Sequence, residues 1–243
     1  MNRVLAIMPL FAAFVISACD VDLGPGDTVT GRGPVIEETR SVGEFAVVSS
    51  ATLADVEIVQ GETERLWITA QENLLRHLET RVENHILYIY TAPGVILQPT
   101  EPVVIELEVV DLARIESSGS GDINAPILDA RRLEVVSSGS GRVDVPSLQA
   151  DSLIVIGSGS GDITSSGTVL AQRMVLSGSH VVDTRNLEAH EADVTLSGSG
   201  PATIRVRDRL RAVLSASGSL RYYGSPTVVQ TVTGTGRVTR LGS

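Results

Sequence analysis

The chain has 243 residues, of which 42% are hydrophobic and only 3% aromatic, and its formal charge is −10. That apolar fraction supports a sizeable core and argues against wholesale disorder, while the dominance of Val, Ile, Leu and Thr favours β structure. All 19 basic residues are Arg, and an acidic chain repels phosphate backbones, which excludes a nucleic-acid partner; four His and one Cys leave little for a transition-metal site and nothing for an internal disulfide.

In chain order, Met1–Arg3 is a short basic start, and residues 4–16 are an apolar stretch of secretory-signal length, too short to span a bilayer. Ile16-Ser17-Ala18-Cys19 follows and resembles a bacterial lipobox. The expectation is a signal peptide over residues 1–18 and lipid on Cys19, which makes the membrane a partner and the cell envelope the location. Residues 19–36 are rich in Gly, Pro and Asp without periodicity and read as a flexible tether. One domain is expected from residue 37 to 243. Its first part, 37–112, holds the strand-like segments EFAVVSS, DVEIVQ, RLWITAQ, ILYIYTA and VVIELEVV. Between them, ENLLRHLETRVEN reads as containing one helical turn, with Leu74, Leu75 and Leu78 on one face. This part is expected to form irregular, broader first coils that cap the N-terminal end.

Residues 113–243 carry a repeat. A Gly-Ser or Gly-Thr step falls at Gly119, Gly139, Gly159, Gly178, Gly198, Gly218 and Gly234, at intervals of 20, 20, 19, 20, 20 and 16. Four residues before it stand Ile115, Val135, Val155, Met174, Val194, Leu214 and Gln230. Four residues after it stand Ile123, Val143, Ile163, Val182, Ala202, Tyr222 and Val238. Two apolar columns at this period predict a parallel β-solenoid with coils stacked about 4.8 Å apart. Gly at the step is expected to supply the positive φ of a tight corner, and Ser to stack as a ladder. No coil buries its apolar face alone, so stability must come from stacking. The last coil simply stops, which leaves a strand edge open. Either Arg237 and Arg240 guard that edge by charge, or a second copy covers it and makes a homo-oligomer.

The SGSGDI step at this period, with ENLLRHLETRVENHILYIY before it and LRYYGSPTVVQTVTGTGRV after it, resembles the head GIN domain (DUF2807). That family is described as an autotransporter adhesin head. The resemblance runs from about Glu44 to Arg240 and includes a Tyr-x-Gly-x-Pro element at Tyr222, Gly224 and Pro226. It implies an all-β fold, a right-handed single-stranded parallel β-helix of about 20 residues per coil, in a bacterial lipoprotein without catalytic residues. The chain departs from the family's Gly-Asp-Ile at Arg142, Val181 and Pro201, which breaks any complete Asp column.

Asp122, Arg142 and Asp162 are expected on successive coils as a surface charge ladder. A calcium or proton-abstracting site of the pectate-lyase type is the sharper reading, but an Arg between two Asp neutralises the ligands. Ser177 or Ser197 with His180 or His190 could suggest hydrolysis; a Ser that recurs at every corner speaks for structure. His180 replaces a Gly of the step and is expected to face outwards. Trp67, Tyr88, Tyr90, Tyr222 and Tyr223 are the available sugar platforms, with Tyr88 and Tyr90 expected in the core. The functional expectation is a non-catalytic, lipid-anchored envelope protein without metal or cofactor. Its role is adhesin-like or scaffolding, with a surface polysaccharide or a protein as partner. The alternative is a polysaccharide-binding or polysaccharide-degrading β-helix.

Overall fold

A computed structural model describes residues 26–242. The expected signal peptide, Cys19 and residues 19–25 of the expected tether lie outside the described residues. In each strand-like segment every second residue is apolar, so one side can be buried while the other stays wet. Wound into coils, the buried sides fill one continuous interior.

The chain begins with β1 (Asp27–Thr30), β2 (Val35–Arg40), β3 (Val47–Ala51), β4 (Asp55–Gln60) and β5 (Arg65–Gln71). One helical turn, α1 (Glu72–Leu75), leads to β6 (Leu78–Glu83), β7 (Ile86–Thr91), β8 (Val95–Gln98) and β9 (Val104–Val109). Then come β10 (Arg114–Ser117), β11 (Ile123–Asn124), β12 (Leu128–Ser137), β13 (Val143–Gly157), β14 (Asp162–Leu176), β15 (Val181–Leu196) and β16 (Ala202–Leu214). The end is β17 (Leu220–Tyr223), β18 (Thr227–Val232) and β19 (Val238–Gly242).

The result is the expected parallel solenoid, with three sides. On face A, β7, β3, β10, β12, β13, β14, β15, β16 and β18 stack in parallel register. On face B the order is β9, β4, β11, β13, β14, β15, β16, β17 and β19. Nine strands at the usual spacing give a stack of about 40 Å. The long strands β13 to β15 bend through a third side, where Leu148–Ala150 lies over Gly167–Val169 and then Leu187–Ala189.

Two columns slip by two residues near the end. Val194 stacks on Ala212 rather than Leu214, and Ala202 on Leu220 rather than Tyr222. The sixth corner is therefore Ala216, over which Gly234 packs, while Gly218 belongs to the neighbouring column. The coil shortens where β15 and β16 change register, between Thr184 and Glu188 and between Ala189 and Glu191. Buried Gln172 sits beside this irregularity. Its Oε1 accepts from the Thr184 hydroxyl at 3.1 Å and its Nε2 donates to the Arg205 carbonyl at 3.2 Å, satisfying groups the irregular ladder leaves inside.

The corner glycines do not supply positive φ, which among the described glycines is confined to Gly33, Gly94, Gly167 and Gly224. Their role is close approach. A Cβ on Gly139 would overlap the Gly119 carbonyl oxygen, and one on Gly159 would overlap that of Gly139.

The N-terminal end departs from the expected broad coils. Only β7 and β9 continue the parallel stack; β5 runs antiparallel to β9 and β6 antiparallel to β7. Joined by α1, they form a reversed layer that seals the interior with Leu74, Leu75 and Leu78, all buried. The expected helical turn is thus present, with its three leucines inward. The tether also ends sooner than expected, because β1 pairs with β8 and β2 with β5. Alternating Thr and Val in DTVT, and Val-Ile at 35–36, give those segments strand character that their Gly- and Pro-rich surroundings hid.

Candidate binding faces

Two of the predicted groups gather along one edge, where face A turns into face B. The corner glycines line that edge, and Asp122, Arg142 and Asp162 open face B directly after it. The ladder works mainly through backbone: Asp55 Oδ1 accepts the Asp122 N–H at 3.0 Å, and Asp122 Oδ1 accepts the Arg142 N–H at 2.7 Å. Arg142 reaches Asp162 at 3.7 Å, with both side chains about half exposed. Pairs of that kind contribute roughly 0–1 kcal/mol.

Two residues further along face B lies a second outward row, which sequence reading missed. Glu106, Glu57, Asn124, Asp144, Thr164 and Asp183 stand in register on successive layers. Asn124 donates to Glu57 at 2.7 Å, and the Thr164 hydroxyl donates to Asp144. The signal was present as a short polar residue following each Ile or Val of the second column. It was passed over because the types vary.

Trp67 extends this row beyond Glu106 and is half-buried on the outside of the sheet. It lines a groove of about 400 Å³ with Glu37, Val59, Glu106 and Glu108. Tyr88 and Tyr90 are also half-buried and face out, contrary to expectation, since Leu87 and Ile89 take the inward positions. Arg81 stands over both rings, 5.3 and 5.6 Å from their centroids.

Among the described residues, no three His, Cys, Asp or Glu side chains converge on a cation position. Hydrogen bonding by the Thr63 hydroxyl holds Glu108 below the ordinary carboxylate range, and His190, 2.9 Å away, does the same to Asp208. A general acid needs the opposite displacement. Ser177 and Ser197 sit at corners with hydroxyls directed at backbone carbonyls, 3.4 Å from Gly157 and Leu176. His190 faces Asp208 and is brought to neither Ser by any hydrogen bond.

The family profile described as "putative auto-transporter adhesin, head GIN domain" matches residues 44–226. The chain belongs to the head GIN family. A search of the curated proteins finds no match. Among solved structures, a putative adhesin from Bacteroides fragilis superposes with a TM-score of 0.84 at 23% identity, covering 88% of this chain and all of that one. A putative adhesin and a putative lipid binding protein, both from Parabacteroides distasonis, give TM-scores of 0.71 and 0.72 at 22% and 23% identity, each over 88% of this chain and 100% of theirs. At such identities the likeness is one of fold.

This head GIN chain has one feature its repeat does not explain. His180, expected outside, is 1% exposed and lies in the interior. The ring fills the space over Gly157, whose missing side chain makes room for it, and its Nε2 is 3.0 Å from the buried Ser137 hydroxyl. Nδ1 has no hydrogen-bond partner among the described residues. Burial pushes the pKa of His180 down, with Asp162's charge opposing. The unfolded chain then takes up a proton that the folded one refuses. The contribution of His180 to stability is fully present above the ordinary His range and is lost progressively as pH falls below about 6.5. A thermal melting series is expected to show Tm falling more steeply towards pH 5 than in a His180→Gly variant. Parallel slopes in the two proteins would remove this role.

Proposed function

We propose that this head GIN domain is a non-catalytic, envelope-anchored solenoid that presents rigid lateral faces for adhesion or scaffolding. The observation carrying this reading is the pair of long polar rows on face B, whose side chains are tied to the next coil rather than poised around a cleft. Such a surface is stiff, regular and preorganised for contact along its length. Gly26 enters at the sealed end, so lipid on Cys19 would hold that end towards the membrane and leave the open coil distant. Among the described residues, no helix is long and apolar enough to cross a membrane.

The test is protease access to an epitope tag inserted before Gly26, on intact and on lysed cells. Tag loss on intact cells is expected for a surface adhesin. Survival until lysis would replace adhesion with periplasmic scaffolding. Cys19→Ala is expected to release the protein from the membrane fraction; undiminished membrane association in that variant would sink the anchor. A polysaccharide-binding reading is favoured by one observation, the outward position of Trp67 beside the polar row. Retention of Trp67→Ala on glycan affinity gels equal to that of the parent would discard it.

A further inference from the structure

We propose that copies of this chain associate head to tail, the basic open coil of one docking on the acidic sealed end of the next. This goes beyond the reading above, because the partner it names is the chain itself.

Backbone comes first. Among the described residues, β18 at the open end pairs only with β16 and β19 only with β17, so both strands leave one edge unpaired. At the sealed end, again among the described residues, β6 pairs only with β7 and β2 only with β5. β6 and β18 terminate face A, while β2 and β19 terminate face B. The two ends therefore offer matching edges on the same two sides of the stack. An unpaired edge is a template for another strand. Stacked end to end, β18 of one copy would run antiparallel to β6 of the next, and β19 parallel to β2.

The same edges also expose apolar side chains. Val35 and Ile36 on β2 are 46% and 38% exposed, and Val229, Val232 and Leu241 on the last two strands are 59%, 40% and 45% exposed. Charge then chooses among the pairings. From Arg209 onwards the chain has five Arg and no acidic residue, in a protein of net charge −10. Arg221 and Arg237 have no carboxylate partner among the described residues. Residues 26–100 hold eleven acidic residues against five Arg, including Glu37 on β2 and Glu79 and Glu83 on β6. Tail on tail would set Arg against Arg, and head on head Glu against Glu. Only head on tail joins opposite signs. Gln230 and Arg240, standing where the inward columns end, keep the distal surface partly polar and the association reversible. A heterologous contact translated along the solenoid axis does not close, so linear chains form.

Sedimentation velocity on the full chain carrying Cys19→Ser, purified without lipid, tests this over a wide range of protein concentration. The expected weight-average mass climbs about threefold or more above the monomer, since a non-closing contact does not stop at two. High salt should reverse the rise. A tail variant, Arg221→Glu with Arg237→Glu, and a head variant, Glu37→Arg with Glu79→Arg, are each expected to stay monomeric. Mixing them should restore association, because each retains the end that the other has lost. A dimer from the head variant alone would mean tail-to-tail pairing and overturn the proposal, as would a mixture that gains nothing. Should a variant fail to fold, the concentration series on the parent decides by itself. A parent that is monomeric throughout overturns self-association, including one that binds polyglutamate instead.

Discussion

Gly139→Ala is expected to destabilise the protein by about 4 kcal/mol or to prevent its accumulation, placing it among the exceptional single substitutions. The added methyl would occupy the position of the Gly119 carbonyl oxygen, and backbone atoms of Ser118 and Gly119 close the other approaches. Relief requires prising two coils apart. That in turn strains the bonds holding this corner, such as Ser138 N–H to Ser117 at 2.9 Å and Ser140 N–H to Gly119 at 3.1 Å. A backbone neighbour cannot swing away as a side chain could. Gly43→Ala is the matched control, because a Cβ there meets nothing within 4 Å, and its effect should stay within about 0.5 kcal/mol. Urea unfolding of the two variants beside the parent measures both. Equal, small losses would show that the corner tolerates bulk and that close approach does not explain its glycines.

Ile115→Ala is expected to cost about 2–5 kcal/mol. Ile115 is fully buried and lies between Val48 on one side and Val135 on the other. It thus joins the first coil to the regular stack, where the chain comes back to β3 after its excursion through the sealing layer. A cavity here touches two coil interfaces, and solenoid stability is close to a sum of such interfaces. Val238→Ala, at the open end and only half-buried, should lose about 1 kcal/mol or less. If both substitutions cost the same, stability is not graded along the stack as this architecture requires.

The repeat itself was legible because identical physical demands recur at each layer. Ile123, Val143, Ile163 and Val182 announce an inward position, and Gly119, Gly139 and Gly159 a place where coils touch through backbone. The reason given for those glycines was mistaken. Composition says that a side chain is absent, but whether for want of conformational freedom or of space depends on what lies opposite, and the occupant is the previous coil. The slip at Gly218 has a similar origin: the Gly-Ser dipeptide persisted in SASGS while the coil had shortened by changes of register elsewhere.

The binding faces were less legible. Asp122, Arg142 and Asp162 stand on neighbouring layers, and their bonds to backbone N–H groups depend on the offset between coils. Tyr88 and Tyr90 alternate with Leu87 and Ile89, and alternation by itself does not say which pair turns inward. His180 stood in a column of small residues that suggested an exposed corner; it is buried because Gly157, one coil away, leaves a hole of its size.

The sequence by itself determined the class of fold, its period, the direction of stacking and the family likeness, since each of these follows from a local pattern repeated many times. Only the tertiary structure decided how residues 27–109 close one end, which aromatic rings meet solvent, and where the two signs of charge collect. Those outcomes turn on β2, β5 and β6 pairing across long stretches of chain and on two distant segments forming opposite ends of one stack. A contact between layers is fixed by three-dimensional register, and a one-dimensional pattern reveals it only where every layer repeats the same demand.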